Sequence, residues 1–131
     1  MSFENNSETV RAQSPPSPQE AAKEGLGVYR VAFKMQLFAN QKAEYKKRHD
    51  EIWPELVSLL KETGISEYSI FLDDTTNSLF GVLKAKDPAA LNNLPAHAVM
   101  QKWWKYMGDI MESNPDNSPV STPLEEVFYL P

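Results

Sequence analysis

Two β-rich stretches that lie close together constrain the fold of this chain more than any other feature. The stretches SEYSIFLDD (66–74) and SLFGVLKAK (78–86) are separated by a run of turn formers at 73–77. Strands joined by so short a turn pair in antiparallel fashion. The sequence therefore predicts a central hairpin, around which the other elements have to pack.

The region before the hairpin predicts one strand and two helices. Between residues 28 and 37, apolar and polar side chains alternate, which is typical of a strand with one polar face. Asn40 is predicted to cap a helix that runs to about Asp50, and Pro54 separates this helix from a second one. Gly64 is the expected end of the second helix.

The region after the hairpin predicts a helix and a last strand. A helical region opens at Asp87, Pro95 interrupts it, and the main helix is predicted from 96 to about 110. An irregular loop precedes a last strand at 125–130. The order βαββαβ predicts an α+β ferredoxin-like sandwich, with helices on one face of the sheet. A second copy of the chain would cover the other face, so we expect a homodimer.

Residues 1–26 differ from the rest of the chain. They are rich in Ser, Pro, Glu, Asn and Gln and poor in large apolar residues, so they bury too little surface to fold. We expect a disordered tail at 1–26 and one folded domain at 27–131. The tail lacks the apolar segment of a secretory signal, and no apolar run is long enough to span a membrane, so a cytoplasmic protein is expected.

The charge and the residue inventory argue against several function classes. A formal net charge of −5 disfavours binding to nucleic acid or to a membrane surface. The chain has no cysteine and two histidines, which excludes disulfides, thiolate metal sites, a cysteine nucleophile and a three-histidine zinc site within one chain. These observations leave small molecules as candidate ligands.

His49 is the residue best suited to proton transfer near neutral pH, because an unperturbed imidazole has a pKa of about 6.5. Tyr45 lies four residues earlier, so a helix would place both side chains on one face, where they could contact the same ligand. The alternative is a solvated histidine among the lysines and the arginine of residues 42–48. His97 has no visible partner, and a structural role is expected for it.

Trp103 and Trp104 are adjacent, and on a helix they point about 100° apart. Both are therefore not expected to enter one core, which leaves at least one free for a ligand; indole faces stack on the C–H faces of sugars. Tyr68 is predicted to bury its ring, and its hydroxyl then needs a partner, either a ligand hydroxyl or a backbone carbonyl.

Several separate motifs resemble the L-rhamnose mutarotase family. They are YKKRHDEIWPEL (45–56), EYSIFLD (67–73), QKWWKYMGDIM (101–111), and NPDNSPV together with the closing EVFYLP. The resemblance covers residues 28–131 and keeps the family's order and approximate spacing. It implies a dimeric α+β barrel enzyme, without metal or organic cofactor, that interconverts the α and β anomers of L-rhamnose.

The resemblance also implies roles for five residues. The family's acid residue falls on His49, and its sugar-contacting aromatic residues fall on Tyr45, Tyr68, Trp103 and Trp104. We hypothesise that the histidine protonates the ring oxygen, that the tyrosines bond sugar hydroxyls, and that an indole stacks on the sugar ring. The carrier of the second proton stays open between a tyrosine and water.

Two alternatives to a mutarotase and one electrostatic question stay open. The same barrel hosts cofactor-independent monooxygenases that act on aromatic polyketides, and a histidine with aromatic walls would suit them as well. A non-catalytic sugar-binding module is the third function class. Asp50 and Glu51 would raise the pKa of His49 if they lay close to it, which leaves its resting protonation state undecided.

Overall fold

The computed structural model describes residues 28–131, so the predicted tail at 1–26 lies outside the described residues. The four strands are β1 (Tyr29–Gln36), β2 (Ile65–Asp73), β3 (Ser78–Ala85) and β4 (Thr122–Leu124). The helices are α1 (Lys42–Asp50), α2 (Pro54–Glu62), α3 (Pro88–Leu91) and α4 (Ala98–Met107), with a 3₁₀ turn at Leu94–Ala96 between the last two. None of the helices in this described part is long and apolar enough to cross a membrane.

The strands form one antiparallel sheet in the order β2-β3-β1-β4. This is the order of a ferredoxin-like sandwich, so the predicted fold class is confirmed. The predicted hairpin is also confirmed: Asp73 pairs with Ser78 at the turn. Asn77 takes a left-handed conformation with φ of 61°, which asparagine tolerates better than most residues.

Proline and glycine set the helix boundaries largely as predicted. Pro54 is the first residue of α2, and Trp53 before it is extended, since proline disfavours helical geometry in its predecessor. Gly64 has φ of 94° just beyond that helix, a conformation that glycine adopts without penalty. The prediction for Asn40 is wrong: Asn40 itself is left-handed with φ of 66°, and Gln41 is the residue that precedes α1, without a side-chain cap.

The core lies between the helices and one face of the sheet. Leu37, Leu56 and Leu79 are fully buried, and α4 contributes Met100, Trp103 and Met107 from one side of the helix. These residues form the main apolar cluster. The predicted main helix is shorter at both ends than expected, because the 3₁₀ turn extends to Ala96 and residues 108–110 form a turn.

The predicted last strand at 125–130 is wrong. The strand ends at Leu124, which pairs with Ala32, and the following residues have no backbone pairing. Side chains hold them instead: Arg30 on β1 donates to the Glu126 carboxylate over 2.8 Å, and its guanidinium lies 3.3 Å from the centre of the Tyr129 ring. A high β propensity describes a fit to a pleated surface and does not itself supply a pairing partner.

Candidate active site

A cavity of about 650 Å³ opens between the sheet and the helices. It is lined mainly by apolar side chains, which is typical of small-molecule sites. Strands and α2 supply Val31, Phe33, Met35, Leu56, Val57, Leu60, Lys61, Ile65, Ser66, Glu67, Tyr68, Ile70 and Leu83; the remaining lining residues are His49, Ile52, Leu91, Leu94, Pro95, Met100, Trp103, Trp104, Ser118, Pro119 and Ser121. Four of the five predicted site residues are among them.

His49 lies on α1 between two aromatic rings. The Tyr45 ring packs against the imidazole with 4.3 Å between ring centres, and the Trp103 indole meets it edge-on at 5.4 Å. The i,i+4 spacing thus brings Tyr45 and His49 together as predicted. Tyr45, however, is not among the residues that line the cavity, because its ring packs against the histidine.

One hydrogen bond fixes which imidazole nitrogen carries the proton. Nδ1 of His49 lies 3.0 Å from the backbone carbonyl oxygen of Tyr45. A carbonyl oxygen can only accept, so Nδ1 is the donor and we assign the proton of the neutral ring to it. The other nitrogen, Nε2, then keeps a lone pair and is the one available to a ligand.

Burial lowers the pKa of His49 below the usual 6.5 of imidazole. The bond to the Tyr45 carbonyl and the charge of Asp50 both act in the opposite direction, but desolvation is the largest effect. The neighbouring acid therefore does not raise the pKa overall. His49 is consequently neutral at pH 7, with a free lone pair on Nε2.

A β-bulge directs Tyr68 into the cavity. Ser66 pairs with Lys84 and Ser69 with Val82, so Glu67 and Tyr68 together face a single residue of β3. The extra residue reverses the alternation of β2, so Tyr68 shares the helix-covered face with Ile70. Glu67 takes up the distortion with φ of 48°, an uncommon conformation for a residue with a side chain.

The Tyr68 ring meets Phe33 edge-on, with 6.2 Å between ring centres. Although 39% of the residue is exposed, the phenol itself is surrounded by protein, and this desolvation raises its pKa to about 12. Burial likewise raises the pKa of Tyr45, with a smaller contribution from Tyr68 nearby. Both phenols are therefore protonated at neutral pH and can donate hydrogen bonds.

Both adjacent tryptophans line the cavity. Trp103 is buried and meets Trp53 edge-on at 5.1 Å, while Trp104 is half-buried and packs against the edge of the same core. Only Trp103 is a buried member of the core, which agrees with the expectation that both indoles would not enter one core. The cavity lies against that core, so both indoles face the pocket and the apolar interior at once.

The sequence did not predict that three further residues belong to this region: Arg48, Trp53 and Tyr106. The Arg48 side chain is only 10% exposed, and it donates to Asp109 over 2.8 Å and to the Tyr106 carbonyl over 2.7 Å. The interpretation of residues 42–48 as a solvated face is wrong for Arg48. The visible signal was Glu44, which lies one helical turn before Arg48 and accepts from it over 2.7 Å.

His97 lies outside the site. It is exposed, precedes α4 and is not among the cavity-lining residues. Within residues 28–131, no group of three or more His, Cys, Asp or Glu side chains is arranged to hold a metal ion.

A model of the L-rhamnose mutarotase family matches residues 30–130 of the chain. The chain belongs to the L-rhamnose mutarotase family. The L-rhamnose mutarotase of Agrobacterium fabrum is 62% identical over 100 residues, which are 76% of this chain and 94% of that protein. The L-rhamnose mutarotase of Mesorhizobium japonicum is 59% identical over 101 residues, 77% of this chain and 96% of the relative.

Solved structures agree with this assignment. The crystal structure of an L-rhamnose mutarotase from Formosa agariphila has a TM-score of 0.73 and 55% identity, over 78% of this chain and 98% of that one. A conserved protein from Methanosarcina mazei has a TM-score of 0.54 at 13% identity, over 80% of this chain and 98% of that chain, and shows the fold alone. As a member of the L-rhamnose mutarotase family, the chain is an isomerase that interconverts the α and β anomers of a sugar.

Proposed function

We propose that this enzyme interconverts the anomers of L-rhamnose in the cavity beside α1, with His49 as its catalytic residue. The observation that carries the proposal is the contact between Nδ1 and the Tyr45 carbonyl, because it leaves Nε2 of a cavity-lining histidine with a lone pair. A base with a fixed orientation is what abstraction of a proton from the anomeric hydroxyl requires.

The direction of the first proton transfer differs from the sequence-based hypothesis. Because burial lowers the pKa of His49, the resting enzyme has a neutral imidazole at pH 7. His49 then begins as a base and becomes an acid only after it has taken a proton from the sugar. Acid–base catalysis of this kind contributes about 10²–10⁴-fold, which needs neither a metal ion nor a covalent intermediate.

Aromatic side chains supply the sugar-binding part of the proposal. Trp103, Trp104 and Tyr68 line the cavity together with His49, and indole faces suit the C–H faces and the methyl group of a 6-deoxy sugar. Tyr45 acts differently in this proposal, since it packs against the imidazole outside the lining. Its carbonyl orients His49, and a sugar contact from its hydroxyl stays a prediction.

The same proposal includes a homodimer in the cytoplasm. The sheet face away from the helices exposes Phe71 by 62%, and after the last strand Phe128 and Leu130 are exposed by 67% and 76%. Large apolar side chains exposed on a small domain are typical of an interaction surface. A second copy of the chain would bury them and complete the barrel. The absence of cysteine is compatible with a reducing compartment.

Saturation-transfer NMR on L-rhamnose tests the activity and the role of His49. We expect the wild type to accelerate exchange between the two anomeric proton signals, and His49→Ala to lose this acceleration. His97→Ala is the matched control, because His97 is exposed and outside the cavity, and it should retain full activity.

The outcomes separate the parts of the proposal. A wild-type protein that binds rhamnose without accelerating exchange is a sugar-binding module, and the proposed function fails. If His49→Ala is fully active, the mutarotase activity stands, but His49 has no role in its mechanism. Oxygen uptake with an aromatic substrate would favour the monooxygenase alternative.

A further inference from the structure

Mutarotation needs two proton carriers, and His49 is one of them. Opening the ring removes a proton from the anomeric hydroxyl O1 and delivers a proton to the ring oxygen O5. Resting on the proposed function, we propose that the Tyr68 hydroxyl is the second carrier and protonates O5 while Nε2 of His49 accepts the proton of O1. Tyr68 is then a catalytic residue and does more than bind the sugar.

The ionisable groups that line the cavity leave few candidates for this role. Besides His49 and Tyr68 they are Lys61 and Glu67. Both of these residues are exposed, and the Glu67 carboxylate is 3.1 Å from the Lys84 ammonium, so it is paired outside the apolar part of the pocket. Tyr45 packs against the imidazole and is not part of the lining. Tyr68 is therefore the acid best placed to contact a ligand.

The backbone around Tyr68 is built to place its side chain there. In a regular β2 strand that kept the direction of Ile65, the side chain of residue 68 would point to the opposite face of the sheet. The bulge at Glu67 reverses this direction at the cost of a positive φ of 48°. Such distortion next to a pocket is typical of functional sites, where a bulge redirects one side chain.

The Tyr68 hydroxyl also lacks a bond that would occupy it. No hydrogen-bond partner for it occurs among residues 28–131, although a desolvated hydroxyl normally has one. A sugar oxygen entering the cavity would supply that partner. Burial keeps the phenol protonated at neutral pH, which is the state an acid needs before reaction.

The transfers balance without any further reactant. The O1–H bond breaks, its proton goes to Nε2, and its electron pair forms the C1=O1 carbonyl as the C1–O5 bond breaks. The pair left on O5 takes the proton of Tyr68. After the aldehyde group has rotated about the C1–C2 bond, O5 attacks the other face of the carbonyl and returns its proton to the Tyr68 oxygen. At the same time O1 recovers a proton from His49. Both groups end as they began.

Tyr68→Phe separates this role from simple binding. If Tyr68 carries the proton, kcat falls by about 10²-fold while KM changes little, which is the signature of an interaction used in the transition state. If Tyr68 only holds the sugar, KM rises and kcat is retained, and the proposal is overturned. Tyr29→Phe is the control, since Tyr29 is buried at the start of β1 and does not line the cavity.

A fluorinated tyrosine at position 68 gives a readout that a structural role would not produce. Fluorine lowers the pKa of the phenol, so the alkaline limb of the kcat profile should move to lower pH by the same amount, after subtraction of the spontaneous rate. Fluorotyrosine at position 29 should leave the alkaline limb of the kcat profile unchanged. An unmoved limb with fluorotyrosine at position 68 would refute the proton transfer. A wild-type protein that does not accelerate anomer exchange would instead refute the proposed function itself.

Discussion

Replacing Arg48 with methionine tests how helix α1 is fixed beside the cavity. Methionine keeps much of the apolar stem of arginine but removes the guanidinium. That group is bonded to Asp109, Glu44 and the Tyr106 carbonyl, and it lies 4.3 Å from the centre of the Tyr106 ring. One side chain thus joins the helix of His49 to the end of α4.

The expected loss in the free energy of unfolding depends on how exposed Arg48 and its partners are. The Arg48 side chain is 10% exposed, whereas Asp109 is 66% exposed, so water solvates the abandoned carboxylate and the full penalty of a broken buried pair does not apply. Charged hydrogen bonds contribute about 1.5–3 kcal/mol each before such discounting. We expect Arg48→Met to lower the free energy of unfolding by about 2–3 kcal/mol, or roughly 10 °C in Tm for a domain of this size.

Urea unfolding followed by circular dichroism, at one fixed protein concentration, measures this loss. Lys46→Met is the matched control, because Lys46 pairs with Asp50 on the same helix but is 75% exposed, and its loss should stay below about 0.5 kcal/mol.

The bond to Arg48 lowers the pKa of Asp109 below its usual 3.8. The difference between wild type and Arg48→Met should therefore persist at neutral pH and shrink as pH falls through that lowered pKa. If Arg48→Met costs no more than Lys46→Met, the reasoning is refuted.

Three further predictions concern the pocket and the outer face of the sheet. Activity should fall as pH drops through the lowered pKa of His49, since the protonated imidazole has no lone pair; a pH–rate profile with its acid limb above 6.5 would contradict this. In Gly81→Ala the new Cβ would overlap the Phe33 ring, so we expect a loss of about 1–3 kcal/mol in urea unfolding; an unchanged midpoint would exclude the clash. Phe71→Glu should convert the proposed dimer to a monomer in sedimentation velocity, and a monomeric wild type would contradict the proposed interface.

Local chemistry was sufficient to predict most of the fold. Pro54 and Gly64 act through their own backbone restrictions, and the hairpin requires only a turn between two apolar strands, so these boundaries were predicted correctly. The last strand depends on an edge partner far away in sequence. There the Arg30 side chain pairs with Glu126 in place of a backbone ladder, and no local pattern encodes that choice.

The candidate site divides in the same way. His49 and Tyr45 share a helix face because of their spacing alone, and the structure confirms that contact. The face that Tyr68 shares with Ile70 follows from the alternation of the strand, whereas the bulge that lets Ile65 point to the same side leaves no clear mark in the sequence. Arg48 was missed because its charge predicts exposure, and its burial depends largely on contacts with Tyr106 and Asp109, which are far away in sequence.

The central position of β1 has a consequence for synthesis on the ribosome. β1 is made first, yet both of its neighbours, β3 and β4, come later in the chain, and Arg30 contacts Glu126 across 96 residues. The β2–β3 hairpin can form as soon as it emerges, whereas β1 has to wait with its apolar face exposed. The nascent chain therefore completes the sheet only after β4 has left the exit tunnel, and truncation before Thr122 should leave the first strand without its edge partner.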